Sequence, residues 1–171
     1  MAALPADERL PALAAAGVLG LSLPVDHGGG GLDLVATAHA LAGLGETLSD
    51  GGVLLAAGAH LFGVGMTVAR IGSEAQKTRW LPAMATGACV ATVAATEAAA
   101  GSDVGQVEAT VGAEGDRLRA RGDERYVTYA DGAGVFLFVG RDPAAKRQAL
   151  TVALVPAGDG VQVGGRWKTA G

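Results

Sequence analysis

Between Asp50 and Arg70 the chain carries no charged residue. A stretch of that kind has to hide from water, either inside a protein or across a bilayer, and a bilayer span needs about 20 predominantly apolar residues. Gly51, Gly52, Gly58, Gly63 and Gly65 interrupt the run, His60 sits near its centre, and no Trp or Tyr flanks it as an interfacial anchor. These features favour a helix buried on all sides within a helical domain over a membrane span. The neighbouring segments supply the rest of that domain. Residues 4–16 mix Asp7, Glu8 and Arg9 with Leu10, Leu13 and alanines, the pattern of a short amphipathic surface helix closed by Gly17. Four consecutive glycines, Gly28 to Gly31, make the next stretch a loop. Asp33 is placed to cap a helix over 34–48, and the turn Ser49-Asp50-Gly51 leads into the apolar helix over about 52–71. Ser73 and Gln76 have capping-box spacing and open an amphipathic helix through Trp80 and Leu81 towards Gly87.

Beyond Gly87 the periodicity changes. Short runs rich in β-branched residues at 90–96, 106–111, 118–121, 125–130, 135–139 and 149–155 read as strands. Gly101, Gly115-Asp116, Gly122-Asp123, Asp131-Gly132 and Gly158-Asp159-Gly160 punctuate them, which is the rhythm of antiparallel hairpins rather than of strand-helix-strand units. The expected fold class is therefore α+β, with an N-terminal all-α helical domain over 1–87 and a β-domain over 88–171.

Composition narrows the function. Half of the 171 residues are hydrophobic, enough for a sizeable core, and a net charge of −4 with no run of Lys or Arg argues against nucleic acid as a partner. A single cysteine, Cys89, allows no internal disulfide, and residues 1–10 lack the basic start and apolar stretch of a secretion signal, so a reducing, cytoplasmic setting is expected. His27, His39 and His60 have no helical partner at metal-ligand spacing, and no metal site is expected. Ser102 lacks a Gly-x-Ser-x-Gly elbow, there is no phosphate loop of the Walker type, and no helix pattern follows Gly158-x-Gly160.

The junction after the first strand is the remaining candidate. Thr96-Glu97 is followed by small residues over 98–103, whose backbone N–H groups could approach a ligand closely, although a hairpin turn capped by Ser102 and Asp103 uses the same residues. If 125–130 is a strand, Tyr126 and Thr128 share one face, and an aromatic plane beside a hydroxyl suits a flat heteroaromatic ring; an ordinary half-buried strand has the same pattern. Arg117, Arg119 and Arg121 would share a strand face that could meet phosphates or stay solvated.

Several of these pieces occur in one order. Gly20 and Pro24 with His27-Gly28-Gly29-Gly30-Gly31, Ile71-Gly72 through Gln76-Lys77, Leu81-Pro82 and Gly87, then Thr96-Glu97 with Gly101-Ser102-Asp103 and Tyr126-Val127-Thr128, together resemble the front half of the acyl-CoA dehydrogenase family. The resemblance implies FAD as cofactor, an acyl-CoA or acyl-carrier thioester as substrate, and α,β-dehydrogenation as the reaction. It implies a helical domain, a middle domain that would be an incomplete antiparallel β-barrel, and a C-terminal helical bundle outside this chain. It assigns Val93, Ala94, Ala95 and Thr96 to the flavin ring, with Thr96 bonding its pyrimidine end, Gly101 to cofactor binding, Ser102 to the pyrophosphate or the thioester, and Tyr126, Val127 and Thr128 to the same wall. Tyr126 stands where the family usually has Trp, Val93 where an aromatic is common, Ala98 where Pro is usual and Tyr129 where Asn is frequent. The family's proton-abstracting glutamate lies in the C-terminal bundle, whereas the chain ends at Trp167-Lys168-Thr169-Ala170-Gly171, so no catalytic base is expected within it. A homo- or hetero-oligomer is expected, with the enzyme either completed by a second polypeptide or catalytically crippled, and a non-catalytic interaction module without stable flavin is the alternative. Oxidase or hydroxylase chemistry on the same fold is a third.

Overall fold

The computed structural model describes residues 4–145, 149–158 and 160–167. They form two compact units divided between Ala91 and Thr92, the second being Thr92–Trp167.

The first unit is helical. Helix α1 (Ala6–Ala15) ends against Gly17, whose φ of 78° is the left-handed turn a glycine adopts without steric cost. Leu10 and Leu13 drop from α1 into a core with Val18, Leu19, Val53, Ala56 and Ala57. The glycine loop is ordered by backbone contacts: Gly30 N–H donates to the Gly20 carbonyl, and Leu32 N–H to that of Leu21, both at 2.8 Å. Gly29 lies so close to the next strand of backbone that a Cβ there would overlap the Leu23 carbonyl. Asp33 caps α2 (Leu34–Thr47), its carboxylate accepting the Ala36 N–H at 2.7 Å. Asp50 caps α3 (Gly51–Gly58) by accepting from Gly52 and Val53, and pairs with Arg9 at 2.5 Å.

The helix does not stop at Gly58. A π-helical stretch over Ala59–Gly65 carries it into α4 (Met66–Ile71), so that Gly51–Ile71 is one 21-residue helix, long and apolar enough by length and composition to cross a membrane. The expectation that it is buried on all sides is corrected. Val53, Ala56, Ala57, His60, Leu61, Val64 and Val68 are buried, but Leu55 is 62% and Ile71 73% exposed. The outer side thus carries two large apolar side chains beside the exposed Gly51 and Gly52, which add little apolar area. Helix α5 (Glu74–Ala85) begins with the anticipated capping box: Ser73 Oγ accepts the Gln76 N–H, and Gln76 Oε1 accepts the Ser73 N–H at 2.8 Å.

The sheet comprises β1 (Ala91–Ala94), β2 (Thr110–Glu114), β3 (Arg117–Arg121), β4 (Val135–Arg141) and β5 (Leu150–Pro156), in the order β1-β4-β2-β3 with β5 paired to β4. β2 and β3 form a hairpin about Gly115 (φ 65°) with Thr110 opposite Arg121, and β4 and β5 pair antiparallel from Val135–Pro156 to Arg141–Leu150. β2 meets β4 in parallel at Thr110 and Arg141, so the sheet is mixed and open rather than an antiparallel barrel. Parallel neighbours need a return connection, which β3 and residues 122–134 supply together. A core of Ala94, Ala109, Val111, Ala133, Phe136 and Phe138 packs on this sheet.

Two expected strands are corrected. The 106–111 strand starts only at Thr110, because residues 104–106 form a 3-10 turn capped by Asp103 and the N–H groups of Glu108 and Ala109 are taken by a side chain. Residues 125–130 form no strand: Tyr126 and Tyr129 have φ of 56° and 55°, which turns the chain. The alternation that placed Tyr126 and Thr128 on one strand face therefore does not apply.

Candidate functional site

The turn nevertheless lies beside β1. Arg125 N–H donates to the Thr96 carbonyl at 2.6 Å, and the Thr92 hydroxyl to the Thr128 carbonyl at 2.6 Å. These two hydrogen bonds bring Val93, Ala94, Ala95 and Thr96 together with Tyr126, Val127 and Thr128 by tertiary contact instead of by strand alternation. Ala94 is buried and Val93, Ala95 and Thr96 half-buried, and Val127 packs against the sheet core. The Tyr126 side of the turn is open: that residue is 65% exposed, and its ring lies 5.2 Å from that of Trp167 at 38°. Trp167 was not singled out from sequence, where it was read as chain terminus only. No local pattern could have paired two aromatics so far apart.

The loop after β1 folds back on itself, with Glu97 N–H donating to the Ala100 carbonyl at 2.8 Å. That reversal brings Gly101 back to the methyl of Thr96 and leaves Gly101 and Ser102 exposed. The hydroxyls of Thr96, Ser102 and Thr128 make no hydrogen bond among the described residues, and none belongs to the buried polar atoms that lack a partner. They are open to solvent or to a ligand. The site thus offers a small-residue wall, three available hydroxyls and an accessible phenol ring, a set that fits a flat polar heterocycle with an anionic tail.

The acids around the site divide sharply. Glu97 is 9% exposed and its two carboxylate oxygens accept the N–H groups of Glu108 and Ala109 at 2.7 and 2.6 Å. This carboxylate is tied to the backbone on both oxygens and braces the loop. Both carboxyl oxygens of Glu124, by contrast, are buried with no hydrogen-bond partner among the described residues. Burial, then the charges of Glu97 and Asp123, push this acid up to about 7. Sequence reasoning passed over Glu124, since nothing local distinguishes it from its charged neighbours. On β3, Arg119 pairs with Glu114, and Arg119 and Arg121 with Thr110, Gly112 and Pro143 line an open depression of about 240 Å³.

A family model for the acyl-CoA dehydrogenase N-terminal domain matches residues 2–88. L-prolyl-[peptidyl-carrier protein] dehydrogenase of Pseudomonas fluorescens is 33% identical over 123 residues, 71% of this chain and 32% of that protein. Among solved structures, an FAD-dependent dehydrogenase superposes with a TM-score of 0.89 at 32% identity, covering 95% of this chain and 45% of the other. A prolyl acyl carrier protein oxidase superposes with a TM-score of 0.78 at 34% identity, covering 85% and 39%. The chain spans about a third of the length of the curated relatives it matches.

Proposed function

The chain belongs to the acyl-CoA dehydrogenase family, and on that footing we propose that it contributes the flavin wall of an FAD-dependent enzyme that dehydrogenates an acyl thioester between its α and β carbons. FAD is the cofactor supported by the family and by the FAD-dependent dehydrogenase it resembles. One observation carries the reading. Two backbone-directed hydrogen bonds hold residues 126–128 beside Val93–Thr96, with the Thr96, Ser102 and Thr128 hydroxyls unclaimed.

When bound, FAD supplies the hydride acceptor. Ala95, beside the buried Ala94, keeps the wall low enough for a ring to approach, and the Thr96 and Thr128 hydroxyls would hydrogen-bond its polar edge. Gly101 and Ser102, exposed on the loop, would face the pyrophosphate, with Ser102 also reaching the thioester. Tyr126 covers an outer edge that Trp167 extends. The residue that removes the α-proton is proposed to lie outside these 171 residues: Glu97 is committed to two backbone N–H groups, and Glu74 is paired with Lys77. The acyl group is proposed to be presented on CoA or on a carrier protein, the two kinds of thioester named for the similar proteins. Cys89, whose thiol burial pushes up, is an inert thiol compatible with a reducing, cytoplasmic setting.

The test is an FAD titration followed by flavin absorbance and fluorescence. Saturable binding is expected, weakened about three- to tenfold by Thr128→Ala, the loss of one hydrogen bond, and by a similar factor in Tyr126→Ala. A chain that takes up no FAD at any concentration overturns the proposal.

A further inference from the structure

Thr96 and Arg125 are joined through the Arg125 N–H and the Thr96 carbonyl, and each has an acid as its immediate neighbour, Glu97 after Thr96 and Glu124 before Arg125. The two acids are not equivalent. Glu97 is satisfied by two backbone N–H groups, whereas both oxygens of Glu124 are buried and unpartnered. The side chain is turned towards the sheet: Glu124 Oε1 lies beside Gly122, which itself packs closely on Ala109 and Phe138. The charged groups that face it, Glu97 and Asp123, are both acids. No cation is among the charges that act on it, and the guanidinium of Arg141, which holds the same loop, donates to the carbonyls of Gly105 and Val107. The residue is half-buried, but its two oxygens are sealed from solvent with no donor among the described residues and with negative neighbours, so ionising it costs more in the fold than in the unfolded chain.

We infer that Glu124 is a positioning residue: as the neutral acid it lets the Thr96–Arg125 clasp stay closed and holds residues 126–128 against the β1 wall, and its ionisation opens the clasp. The inference rests on the flavin reading for its consequence, but the clasp can be observed without flavin. The folded state holds a proton that the unfolded chain releases near the ordinary value of 4.5. The stabilisation is therefore fully present below that value and is lost as pH rises through about 7.

The experiment uses the full chain with carbon-13 glutamate and nitrogen-15 amides, followed by NMR from about pH 5.5 to 8.5 without flavin, and then FAD titrations over the same range. One glutamate carboxyl is expected to titrate near neutrality with the Arg125 amide moving in step, and FAD affinity to fall about tenfold across that transition, equivalent to one unit of coupled titration. Glu124→Gln, neutral and of the same shape, is expected to abolish both pH dependences and keep the tight-binding state at alkaline pH; a packing role alone leaves this variant weaker at every pH. Absence of any glutamate titrating above the ordinary range, or an Arg125 amide indifferent to it, overturns the inference. Should Glu124→Gln not fold, the wild-type carboxyl and Arg125 titrations still decide. A clasp that titrates in a chain that takes no FAD at any pH would leave the clasp standing and remove the flavin reading. FAD binding of equal affinity across the range would leave the flavin reading and remove the clasp.

Discussion

His60 shows how much a single residue in an apolar helix can hold together. Its ring is fully buried; Nδ1 accepts the Ala91 N–H at 2.9 Å, which leaves Nε2–H to donate between the carbonyls of Leu19 and Met84, each at 3.2 Å. Three segments of backbone are thus satisfied by one imidazole. His60→Ala leaves those groups unpaired around a cavity and is expected to cost about 2–4 kcal/mol, read from chemical denaturation. Burial lowers the tendency of this ring to take a proton. Its neutral form is favoured in the fold, so the contribution is complete above the unfolded value of 6.5 and declines as pH falls below it. The sequence shows only that this residue has no partner at metal-ligand spacing. Which backbone groups it satisfies was illegible, since Leu19, Met84 and Ala91 come from three distant segments.

Among the elements, helix boundaries followed local chemistry. Asp33, Asp50 and Ser73 each cap the helix that starts after them, because a cap needs only a side-chain acceptor within three residues of a free N–H. Asp50 also holds Arg9, whose side chain lowers its carboxyl below the ordinary range. The linked stability is present above the unfolded value of 3.8 and lost as pH falls through the lower folded value. Asp50→Ala is expected to cost about 1–2 kcal/mol at neutral pH, with a midpoint shift visible in urea. Gly29→Ala is expected to cost about 1–3 kcal/mol or more, since the Leu23 backbone cannot give way as a side chain could; a melting temperature unchanged from wild type would refute that close approach. The π-helical stretch over Ala59–Gly65 left no trace in the pattern of apolar residues, whose spacing fits an unbroken α-helix equally well.

At the scale of the whole molecule, apolar side chains stand out from the sheet. Leu118 on β3 and Leu150 and Val152 on β5 are exposed, and among the described residues β3 ends the sheet with an unpaired edge. Unpaired edges bearing apolar residues recruit other chains, so the thermal midpoint is expected to rise with protein concentration; a high midpoint independent of concentration would argue for a self-sufficient monomer. The amino-acid sequence by itself determined the succession of helices and then strands, the caps, the glycine turns and the motif residues of the family, because these depend on energies settled within a few positions along the chain. Tertiary structure alone decided that β2 runs parallel to β4, that residues 125–130 turn instead of extending, and that Glu124 is buried beside Glu97. Each of those outcomes rests on contacts such as Arg125 to Thr96 and Thr92 to Thr128, formed between residues whose separation in sequence puts them beyond the reach of any local pattern.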